Sequence, residues 1–156
     1  MARANDDAHL LTDLALEVVH RELRPVYRLR ELRSAGPGGR GRVFEVGTEG
    51  GMNNLAQAIL MRLLTPEGEL ARLGHPEYGS RVHELVGREN VASTRNLLKL
   101  FILDALKREP RVEKVVKLSV EPTKGARGSV DVLLRVTPVG RADVVQIGPF
   151  GIELTV

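Results

Sequence analysis

Apolar positions recur at helical spacing in the first two thirds of the chain and at strand spacing in the last third. From about Asp7 to Arg24, Leu10, Leu11, Leu14 and Val18 follow a helical period, with Asp6 or Asp7 as N-cap and Pro25 as the stop. Val26 to Arg33 alternates and suits either a charged strand or more helix, Gly36 to Gly41 is a flexible loop, and Val43 to Val46 is a short strand. From Asn53, with Asn53 or Asn54 as cap, Leu55, Ala56, Ile59, Leu60, Leu63 and Leu64 predict a helix that Thr65-Pro66-Glu67-Gly68 ends. Leu70 to Tyr78 is a loop, and Arg81 to Val86 a short helix. Asn90 to Arg108 is a long helix with Leu98, Phe101, Ile102, Ala105 and Leu106 inward.

After Pro110 the period becomes two. Val116, Leu118 and Val120 predict one strand, Val130, Val132, Leu134 and Val136 a second, and Lys124 to Gly128 the hairpin loop between them. Phe150, Ile152, Leu154 and Val156 predict a third. Helices followed by an antiparallel meander make an α+β fold, with helices packed on one face of a small, largely antiparallel C-terminal sheet. The organisation expected is an extension over 1–49, with helix, strand and Gly-rich loop, and a main domain over 50–156.

Composition narrows the class. In 156 residues, 42% hydrophobic and 28% charged, a globular core is affordable without crosslinks, and 3% aromatics make it aliphatic. The absence of cysteine excludes disulfides, thiol nucleophiles and thiolate metal sites. A net charge of +3 with interspersed signs is not the footprint of a nucleic-acid binder. No stretch is long and apolar enough to span a membrane, and Met1 to Asp7 lacks a signal-peptide core, so the chain is expected to stay in the cytoplasm where it is made.

Candidate chemistry is sparse. His9, His20, His75 and His83 have no metal-binding spacing, and Gly36 to Gly41 precedes a strand-like run where a phosphate loop needs a helix. Glu67, Glu69, Glu77 and Glu84 crowd the central loop, but only Tyr78 is at hand to stack on a sugar, and no Gly-x-Ser-x-Gly elbow exists. No catalytic residue, metal or cofactor is therefore expected. Glu109-Pro110-Arg111 is different: Pro110 drives Glu109 into extended geometry, so that Glu109 and Arg111 project to one side as a carboxylate beside a guanidinium fork.

Four segments occur in order: Asn54-Leu55-Ala56-Gln57-Ala58-Ile59, Arg62-Leu63-Leu64-Thr65-Pro66-Glu67-Gly68-Glu69, Pro76-Glu77-Tyr78-Gly79-Ser80 and Glu109-Pro110-Arg111. Together they resemble the baseplate wedge and sheath-initiator family of contractile phage tails and injection systems, small proteins also labelled lysozyme-like. The resemblance runs from about Gly50 to Val156. It implies a fold similar to the strand-exchanging domain of sheath subunits, six copies per baseplate, and a protein without catalysis that links wedge to sheath. Partners implied are the sheath protein and the wedge proteins, with the tube or spike hub as further possibilities, and neither nucleic acid nor membrane. The resemblance assigns Glu109, Pro110 and Arg111 to the wedge contact. Phe150, Ile152, Leu154 and Val156 carry apolar alternation to the last residue, so that strand must join a sheet, its own or a partner's, and it is the expected sheath-contacting strand. The alternative is a peptidoglycan muramidase, for which Glu69 and Glu84 are the available carboxylates.

Overall fold

A computed structural model describes the backbone of residues 8–21, 24–35 and 42–155, and side chains at 9–16, 29–30 and 47–155. The chain divides into two compact units, Met1–Gln57 and Ala58–Val156. The fold is α+β.

The N-terminal unit is built from two-stranded ribbons. β1 (Thr12–Leu14) pairs with β6 (Thr48–Gly50), β2 (Leu16–Arg21) with β3 (Arg24–Leu29), and β4 (Glu31–Ala35) with β5 (Arg42–Val46), all antiparallel. The helix expected from Asp7 to Arg24 is therefore corrected: its described part is a short 3-10 turn (Ala8–Leu10) followed by strands. Two features of the sequence explain the outcome. Val18, Val19, Val26 and Tyr27 favour extended backbone, and the register Val18↔Tyr27 and Val19↔Val26 pairs them across one hairpin. Leu10, Leu11 and Leu14 do not form a buried helical stripe either, since Leu10 is buried while Leu11 is 60% exposed. Pro25 lies opposite His20 near the hairpin end, where a two-stranded ribbon tolerates a missing donor. Val26 to Arg33 is strand, divided between β3 and β4. Gly36 to Gly41 and the Asp6–Asp7 cap lie outside the described residues.

The ribbons meet at a closed triangle of main-chain hydrogen bonds. Ala15 N–H donates to Gly47 O (2.7 Å), Gly47 N–H to Arg30 O (2.8 Å), and Arg30 N–H to Ala15 O (2.8 Å). Two of its corners are tight: Ala15 is fully buried, and a Cβ on Gly47 would lie 3.3 Å from Arg30 O. The first turns of α1 (Gly51–Leu64) fasten the adjoining strand. Asn54, expected as a cap, sits inside the helix, where its amide donates to Leu10 O (2.9 Å). Gln57 accepts from Leu16 N–H and donates to Leu14 O, each at 2.8 Å, in the manner of a neighbouring strand.

The C-terminal unit holds α2 (Ala92–Lys107) and a meander of β7 (Val112–Pro122), β8 (Ser129–Pro138) and β9 (Val145–Glu153), in that spatial order. Its core is aliphatic, as composition requires: Ile59, Leu98, Ile102, Val130, Val132, Leu134 and Val136 are fully buried. The alternation on β8 is followed strictly, but β7 departs from it. Register shifts at Val112/Lys114 and Val115/Lys117 insert extra residues, and Val116, expected inside, is 47% exposed. β9 starts five residues earlier than Phe150, at Val145, because a shift opposite Val132/Leu134 absorbs the Gly148-Pro149 break. Beyond β9, Leu154 N–H bonds to Gly128 O (2.8 Å) and Thr155 Oγ1 to Arg88 O (2.6 Å), which tie the segment down.

Candidate functional site

Three of the short motifs, far apart in sequence, converge beside the C-terminal ends of α1 and α2. α1 closes with the Thr65 hydroxyl donating to Met61 O (2.8 Å). Pro66 then forms a parallel bridge with Ser80, supported by Ser80 N–H to Thr65 O and Glu67 N–H to Ser80 O, both 2.9 Å. The buried Ser80 hydroxyl donates to Leu63 O at 2.6 Å. Gly79 lies against this seam with φ +109°, and a Cβ there would stand 2.6 Å from Pro66 O, so the position accepts glycine alone. The Thr65-Pro66 and Tyr78-Gly79-Ser80 segments are thus the two halves of one closure, and the residues between them form a loop with its ends joined.

The Glu-Pro-Arg segment completes the cluster. Glu109 N–H closes the end of α2 on Leu106 O (3.1 Å), and past Pro110 the backbone of Arg111 accepts from Val139 N–H (3.0 Å). The Glu109 carboxylate is 4% exposed and bridges two arginines: Oε1 accepts from Arg111 Nε at 2.6 Å, and Oε2 from Arg62 Nη2 at 3.2 Å. Arg62, on α1 and 8% exposed, lies over the Tyr78 ring with its guanidinium carbon 4.6 Å from the centroid. Its Nε is buried without a hydrogen-bond acceptor among the described residues. Arg108 ties the loop to α2, pairing with Glu67 and Asp104 and donating to Glu77 O (3.2 Å).

Burial pushes the Glu109 carboxyl pKa up, but the hydrogen bond from Arg111 and the charges of Arg111 and Arg62 outweigh it and hold the group below the ordinary carboxylate range. The carboxylate is therefore ionised at neutral pH, fixed from two sides, and fixes the Arg111 fork in turn. This is a pre-oriented guanidinium at a helix–strand junction, suited to gripping a carboxylate or the carbonyls of a helix end. Glu109 and Arg111 are adjacent as expected, but through a turn and not an extended segment: Val112 N–H donates to Glu109 O (3.1 Å) across Pro110 and Arg111. Arg62 is a second partner of Glu109 and lies over Tyr78, a contact outside the sequence reading; its available signal is an arginine on α1 between the inward positions Ile59 and Leu63.

The other sequence-derived candidates have different surroundings. Ile152 and Leu154 are buried in their own unit and Phe150 is partly buried, while Val156 lies outside the described residues. The side chains of Ile152 and Leu154 are thus turned to their own core, and the edge of β9 itself is main chain. β8 occupies one side of it, and among the described residues no strand pairs with its other side or with the outer side of β7. The Glu84 carboxylate is gripped by Arg81 through two 2.8 Å bonds at the surface, and that hydrogen bond draws its pKa down, opposite to what a proton-donating acid requires. Glu69 is exposed. Among the described residues no group of three or more His, Asp and Glu could hold a metal ion, and no helix is long and apolar enough to cross a membrane.

The solved structures contain a similar fold. A protein from Geobacter sulfurreducens described as a "putative tail lysozyme" superposes with a TM-score of 0.56 over 65% of this chain and 89% of its own, at 20% identity. No family model and no curated protein sequence matches the chain.

Proposed function

We propose that the chain is a structural component of the baseplate of a contractile phage tail or related injection particle, where it links the wedge to the sheath and seeds sheath assembly by strand addition. The observation that carries this reading is the convergence of the Thr65-Pro66, Tyr78-Gly79-Ser80 and Glu109-Pro110-Arg111 segments on one buried, charge-fixed cluster. A site built to orient one arginine at a rigid junction suits recognition of another protein. The open sides of β7 and β9 supply main-chain donors and acceptors to which an extended segment of a sheath subunit adds, with affinity from the backbone and register from alternate side chains. The tail-related fold of the Geobacter protein agrees with this placement.

Coexpression with candidate wedge and sheath proteins tests the reading. The parent chain is expected to be incorporated into baseplates, and Arg111→Ala to be folded but excluded; unimpaired incorporation of the folded variant would refute it. The description of the Geobacter protein keeps a muramidase as the second reading. Cell-wall lysis by the purified chain that disappears on Glu69→Gln or Glu84→Gln would favour that enzyme.

A further inference from the structure

The sheet of the C-terminal unit has a second face. On β8, Val130, Val132, Leu134 and Val136 point into the core, so Asp131, Leu133, Arg135 and Thr137 stand on the opposite side. The register extends this face across the neighbouring strands. Lys117, Arg135 and Gln146 make one row, Ser119 and Leu133 the next, and Glu121, Asp131 and Gly151 the third. Lys114 beside Thr137 lies beyond the basic row, and Glu153 beside Ser129 beyond the acidic one. Lys114, Lys117, Arg135, Glu121 and Glu153 are all exposed.

Charge is therefore segregated along the strands, positive at one end and negative at the other, with Leu133 between. The arrangement works against the isolated unit. Lys117 stands directly opposite Arg135, and Glu121 directly opposite Asp131, and like charges in such cross-strand pairs are destabilising. Among the described residues none of these charges has an ion-pair partner; the acidic pair receives only hydroxyl donors, Ser119 to Glu121 (3.1 Å) and Thr123 to Asp131 (2.9 Å).

A covering surface that relieves both pairs must carry the same pattern reversed, with its rows roughly 13 Å apart, the rise of four strand residues. This face presents that pattern to itself. We infer that it is a self-association surface, on which a second copy of the chain lies antiparallel, related by a two-fold axis through the Ser119–Leu133 row. The two-fold sets Lys117 and Arg135 of each copy against Glu121 and Asp131 of the other, an isologous contact satisfied on both sides at once. A face of three strands is small beside the area of stable complexes, so the pair is weak and reversible. Face-to-face contact leaves the outer sides of β7 and β9 open. The inference stands independently of the proposed function.

Sedimentation of the full chain over a wide concentration range tests it. The parent is expected to show a monomer–dimer equilibrium that weakens about tenfold from low to high salt. Lys117→Glu/Arg135→Glu reverses the basic pair, and Glu121→Lys/Asp131→Lys reverses the acidic pair. Each double variant, with the melting temperature of the parent, is expected to be monomeric alone, and their equimolar mixture to associate at least as tightly as the parent. A parent that stays monomeric at all concentrations would overturn the inference. So would double variants that dimerise as the parent does, which would put the contact on a strand edge, or a mixture that fails to associate.

Discussion

The two units of this chain are held together by different physics. The ribbon unit relies on main-chain hydrogen bonds: three antiparallel pairings that meet at the Ala15–Arg30–Gly47 triangle, and side-chain amides of α1 that stand in for a neighbouring strand. Two-stranded ribbons alone are marginal in water, so this unit depends on its junction. The C-terminal unit relies on an interdigitated aliphatic core, and places its buried ions at one corner of it. A unit fixed by its core can hold an arginine at a set angle for a partner. A unit fixed by its junction has directions set by backbone geometry at a few residues.

The largest effects are expected in the C-terminal cluster. Glu109→Ala would leave two arginines without the carboxylate that joins them and should cost about 3–5 kcal/mol, read by denaturant unfolding. Leu134→Ala, which opens a cavity beneath the sheet, should cost about 2–5 kcal/mol in the same assay. A loss below about 1 kcal/mol at either position would contradict the contrast between the units. Gly47→Val should act on the other side of it. Hydrogen exchange in β1 to β6 should rise as the triangle opens, while protection of β8 and β9 stays at the parent level.

A smaller effect follows from acid. The folded pKa of Glu109 lies below its unfolded value, so its stabilisation is complete above the unfolded pKa of about 4.3 and is lost as pH falls through the folded one. Denaturant midpoints measured across that range should drop in the parent, and drop less in Glu109→Gln. The smallest effect is expected for Glu84→Gln: its pair with Arg81 is exposed, and the melting temperature should not change.

The same division explains what the sequence made legible. α2, the core of β8 and the α+β class follow from periodicity because burial decides those positions, and local pattern records burial. Glu109 and Arg111 meet as expected, but by a turn closed from Val112 N–H to Glu109 O, where the local reading expects an extended segment. The strands at the N-terminus were hidden because Leu10, Leu11, Leu14 and Val18 fit a helix locally, whereas the hairpin register that wins pairs residues across a turn. Val116 was misplaced because a bulge changes which side chains face inward without altering the alternation of residue types. Arg62 over Tyr78 and against Glu109, and Arg108 against Glu67, join residues that only the closed loop brings together, and no spacing announces them.

The central claim is that the C-terminal unit offers a fixed Arg111 and an open sheet edge to other chains. A particle map in which this subunit is resolved within its baseplate tests it most directly. The account predicts a strand of another chain hydrogen-bonded to the outer side of β7 or β9, with a carboxylate or helix-end carbonyl of a wedge protein at the Arg111 fork. A map in which both edges are bare and Arg111 faces solvent would contradict it.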